Sequence, residues 1–181
     1  MTFPSFAAGE VLRATDMNAV GMWSVGTMTF NGSTSQVVDG CFTSDYRRYM
    51  FAWDFTTSGT TADNVFLQFR KAGANAATNY NNTWIYTLRT SASPLTAYDG
   101  SGVQMTIGYV GNFVASGFGY ISRPAISGPT GVSWQGGGNG SVQGIIASGQ
   151  GSHTTSDTYD GLRIVSASSL TGQVKIYGLR D

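Results

Sequence analysis

The chain has 181 residues, with ten basic and ten acidic side chains, one histidine, one cysteine and 25 glycines. Only 11% of it is charged, against roughly 25% in an ordinary soluble domain, while 41% is hydrophobic, enough apolar surface to fold around a core. A net charge of zero, with basic neighbours only at Arg47-Arg48 and Arg70-Lys71, offers no footprint for nucleic acid. One cysteine cannot form an internal disulfide, and one histidine with one cysteine cannot build a His or Cys zinc site in one subunit; neither a metal nor a cofactor is expected.

In chain order, the start Met1-Thr2-Phe3-Pro4 lacks the basic and apolar regions of an export signal, and no apolar run approaches a membrane span; synthesis in the cytoplasm without membrane insertion is expected. Residues 1–21 form a first unit. Thr15 is a fitting N-cap and Gly21 a fitting stop for a short helix, too short to be stable without outside support. From Met22 onward the hydrophobic period is two. Tyr49, Phe51, Trp53 and Phe55 share one face, as do Val65, Leu67 and Phe69, then Trp84, Tyr86 and Leu88, then Val103, Met105, Ile107 and Tyr109, and finally Val174 and Ile176. Half-buried antiparallel strands give this alternation. Clusters of turn residues at 31–35, 57–60, 99–102, 136–140 and 160–161 separate about eight to ten strands. In this reading glycine serves turns and strand bends, and 136–140 is a mobile hairpin tip. The predicted fold is all-β: an antiparallel β-sandwich, jelly-roll-like, over residues 22–181, preceded by a short N-terminal helical attachment segment.

No constellation of catalytic residues emerges, and the protein is expected not to be an enzyme. The only histidine, His153, lies in a polar stretch and reads as a solvated loop residue, without a Gly-x-Ser-x-Gly elbow anywhere. Glycoside hydrolysis needs two facing carboxylates, yet the only glutamate is Glu10, and of the aspartates Asp39, Asp99 and Asp160 precede glycine in turns. The glycines at 136–140 lack the Lys-Ser/Thr of a phosphate loop, and Asp157–Gly161 does not match a calcium loop. Cys41 reads as a small buried hydrophobe. Among the aromatics, Trp23, Trp53 and Trp84 read as core, whereas Trp134, before the glycine run, and Tyr80, in Asn79-Tyr80-Asn81-Asn82, are the candidates for an exposed ligand-binding loop.

Phe6-Ala7-Ala8-Gly9-Glu10-Val11-Leu12-Arg13-Ala14-Thr15-Asp16-Met17-Asn18 meets every fixed position of the pattern F-x-x-G-E-x-L-x-A-x-D-[LM]-N. It resembles the N-terminal signature of tailed-bacteriophage minor structural and tail-fibre proteins. The end, Tyr159–Val165 and Gly172–Arg180 with its strand closing on Tyr177-Gly178, is similar to the last strand pair of β-sandwich domains in the same proteins. The resemblance implies a virion protein, a homotrimer whose N-terminal segment attaches to other virion proteins of tail, baseplate or capsid while the β-body projects outward. It implies attachment or trimer-forming roles for Phe6, Gly9, Glu10, Leu12, Ala14, Asp16 and Asn18, and a tail-tip knob that engages the host cell surface, host glycan being the expected partner, through its loop tips. The absence of heptads, collagen-like repeats or a β-helix period departs from long fibres. A capsid decoration or short head-fibre protein is the alternative, with a small carbohydrate-active enzyme behind it.

Overall fold

The structure, a computed structural model, describes residues 21–57, 63–88, 93–110, 114–139 and 144–180. The expected N-terminal helical segment, with the positions expected to attach it, lies outside the described residues. The described residues are all-β, and their strands form one antiparallel sheet curled into a half-barrel. The strands are β1 (Met22–Val38), β2 (Arg48–Thr57), β3 (Asp63–Lys71), β4 (Ala74–Asn75), β5 (Tyr80–Leu88), β6 (Leu95–Gly102), β7 (Met105–Val110), β8 (Val114–Ser122), β9 (Thr130–Asn139), β10 (Gly144–His153) and β11 (Gly161–Leu179). Their order across the sheet is β4-β3-β11-β2-β8-β9-β10-β5-β6, with β1 on β11 and β7 on β3.

The two longest strands make the curl. β11 pairs with β3 through Gly161–Ser166, then with β2 through Leu170–Leu179, and β1 runs antiparallel along almost all of it. One end of this pair therefore belongs to a layer with β3 and β7, and the other to a layer with β2, β8, β9, β10, β5 and β6. β7 crosses the core to pack on β9 and β10. The segment Asn31–Ser35, expected as a turn, lies inside β1. Gly32 there has φ +67°, and the register with β11 shifts between Asn31 and Ser33 and again between Ser33 and Ser35. Bulges of this kind bend a strand without ending it, which is how an Asn-Gly pair can sit inside a strand.

The alternation at 48–57 is met: Tyr49, Phe51, Trp53 and Phe55 are buried and the residues between them face outward. β7 differs, being covered on both faces, so Thr106 is buried beside Met105 and Ile107. Glycine also has a use beyond turns. Across the inner face, pairing sets Phe51 against Gly119, Gly119 against Trp134, Trp134 against Gly149 and Gly149 against Trp84. Large rings alternate with glycines, and each ring lies over the bare backbone of its neighbour. A methyl group on Gly149 would come within 2.7 Å of the Trp134 indole, and one on Gly117 or Gly136 within 2.5 Å of Trp53. The run expected as a mobile tip at 136–140 is in fact strand through Asn139, and Gly136 forms part of the bed for Trp53.

Candidate functional site

The two aromatics expected on an exposed loop are not there. Trp134 lies within β9 at 2% exposure, and Tyr80 begins β5 fully buried. Both take inward positions of the alternation, and glycine neighbours give the Trp134 ring room to lie flat. Tyr80 is held from both sides: its hydroxyl accepts from the Phe69 amide at 2.7 Å and donates to the Ala76 carbonyl at 3.1 Å. Phe6, Gly9, Glu10, Leu12, Ala14, Asp16 and Asn18 lie outside the described residues.

His153 is likewise not a solvated loop residue. It ends β10, is buried, and packs edge-on against Tyr80 and Tyr159. Its Nδ1 lies 2.6 Å from the Tyr159 hydroxyl and 2.8 Å from that of Thr155. Burial pushes its pKa below the ordinary histidine value, opposed by the Thr78 backbone carbonyl and the Asp157 carboxylate.

Two ion pairs lie nearby. Arg70, buried in β3, donates from Nε to Asp39 Oδ1 at 2.6 Å and from Nη2 to Asp39 Oδ2 at 3.1 Å, and it reaches the Asn75 side chain and the Gly73 carbonyl as well. These bonds hold the Asp39 carboxyl below the usual carboxylate range. Lys71 bonds Asp157 at 2.7 Å, and Asp160 Oδ2 accepts from the Ala72 amide. Cys41 is buried, and desolvation pushes its thiol up to about 12. Among the described residues no group of three or more His, Cys, Asp or Glu is placed to hold a metal ion.

The most distinctive surface lies on the opposite side of the sheet. The strands β5, β8, β9 and β10, of nine, nine, ten and ten residues, contain no Asp, Glu, Lys or Arg. Their outward positions fall into ranks across the strands. One rank runs Tyr120, Ser133, Gln150, Thr83, and β6 extends it with Tyr98, 72% exposed. The next runs Phe118, Gln135, Ser148, Ile85. Phe118 and Tyr120 meet edge to face with ring centroids 6.3 Å apart, and both are exposed. Three adjoining open hollows of about 390, 440 and 530 Å³ follow these ranks and share lining residues. On the β2 flank charge reappears, at Arg48 and Asp54 of β2 and Lys175 of β11.

The loop residues singled out from the sequence did not lead to this face, although a signal was present: 100–122 and 124–156 carry no Asp, Glu, Lys or Arg. No protein-family model and no curated protein matches the chain.

Proposed function

We propose that the chain is a non-enzymatic structural protein of a tailed-bacteriophage virion: a trimeric, jelly-roll-like knob at the tail, attached through residues 1–21 and engaging the host cell surface with its β-body. The observation that carries this reading is the pattern at Phe6–Asn18, met at every fixed position. The body is compatible with it. An all-β core packed with aromatic rings and spanned by long paired strands carries a broad uncharged sheet face that points outward, away from that core. Contact with the host needs no covalent chemistry, and weak sites gain strength when many copies bind together.

The test is competition. Purified protein should adsorb to host cells and block infection by the phage that carries it. Absence of competition at saturating protein would replace this reading with a capsid decoration or short head-fibre role, in which the outer face need bind nothing on the host. Release of reducing sugar ends from host polysaccharide would instead make the protein a carbohydrate-active enzyme.

A further inference from the structure

From the outward face of β8, β9, β10 and β5 we infer a binding site for an uncharged saccharide chain; the inference rests on the host-surface reading and moves the contact from loop tips to the sheet. Three properties of the face select this ligand. Its hydrogen-bonding side chains are hydroxyls and amides, among them Gln135, Gln150, Ser133, Ser148 and Thr83. Such groups both donate and accept, as sugar hydroxyls do. Next, Phe118 and Tyr120 present exposed rings within the same hollow, and the electron-rich face of a ring attracts the C–H face of a pyranose. Finally, no charged side chain lines any of the three hollows. An acidic glycan would lose its solvation there and gain no ionic partner, so the face favours neutral chains.

Composition argues in the same direction. Apart from Phe118, Tyr120, Ile85 and Ile146, with Val114 at the start of β8 and Tyr98 on β6, the described outward positions of these strands carry Ser, Thr, Asn, Gln and Gly. That composition is more polar than the interior of a lasting protein interface. The adjoining hollows form an open trough along the sheet, a shape that admits an extended chain of sugar units.

The experiment applies the intact protein to an array of uncharged and acidic glycans, alongside Phe118→Ala, Gln150→Ala and Ser148→Arg. The expected result is binding confined to uncharged glycans, weakened at least about tenfold by Phe118→Ala and by Gln150→Ala, with thermal unfolding unchanged. Ser148→Arg should also abolish it. No uncharged glycan bound, equal binding of acidic ones, or binding retained in the first two variants overturns the proposal. So does light scattering that shows Ser148→Arg dissociating an oligomer, because the face would then be covered by sister chains. Cell adsorption separates the two claims. Phe118→Ala and Gln150→Ala proteins that adsorb as well as the parent remove this site and leave the host-surface reading standing. Glycan binding without adsorption does the reverse.

Discussion

Gly117 shows how one missing methyl group shapes this core. Its backbone lies under the Trp53 indole, and a Cβ would come 2.5 Å from that ring and 2.6 Å from the Gln135 carbonyl. Gly117→Ala should cost about 2 kcal/mol in chemical denaturation, since neither a packed indole nor a strand carbonyl yields cheaply. Gly131, one strand away in β9, has nothing within 4 Å of its added Cβ, and Gly131→Ala should stay within about 0.5 kcal/mol. Both glycines look alike in the sequence, because what separates them is a ring reaching across from another strand. His153 supplies the second prediction at this scale. It is held among Phe69, Tyr80, Thr155 and Tyr159, with Asp157 nearby, and its folded pKa is depressed by burial. The unfolded chain therefore takes up a proton first as pH falls. The stability tied to this group is full above about 6.5 and declines from there toward the lower folded value, so denaturation midpoints should fall over that window. His153→Gln should flatten that slope.

At the scale of elements, Arg70 is the joint between β3, the chain just beyond β1 and the turn that leads into β4. Its guanidinium meets Asp39, Asn75 and Gly73 at once, and the residue is buried. Arg70→Ala should lower unfolding stability by about 3 kcal/mol, because Asn75, Gly73 and Asp39 lose a shared donor that water replaces only in part. Acid titration separates this joint from His153. Asp39 is held below the ordinary carboxylate range by Arg70, so its contribution is full above about 3.9 and lost as pH falls further. The strands themselves were legible wherever one face is covered and the other wet, as in β2. They were less legible in β1, where Asn31-Gly32 reads as a turn by local chemistry but forms a bulge because β11 continues to pair on both sides of it. In β7, coverage on both faces hid Thr106 among apolar neighbours.

For the whole molecule, the described core is closed by residues from Met28 to Ile176, all of them beyond residue 21. Deleting residues 1–20 should therefore leave a cooperatively folded body by calorimetry. On the proposed function, that body should no longer enter particles and should scatter light as a monomer where the intact chain is a trimer. A truncated body that still assembles onto virions would place attachment elsewhere. The low charge also acquires a location at this scale. The ten acidic and ten basic groups are absent from four neighbouring strands, and that leaves one broad sheet face uncharged.

By itself the sequence determined the strand-forming period, the inward rings of β2 and the uncharged runs at 100–122 and 124–156, because side-chain alternation and composition are properties of consecutive residues. Only the tertiary structure decided that β5, separated from β8 by two strands of the chain, pairs with β10 and completes the uncharged face. It also decided that Trp134 and Tyr80 point inward and that glycines stand beside the largest rings. Strand pairing joins residues far apart in the chain, and the local pattern is the same whichever partner a strand takes.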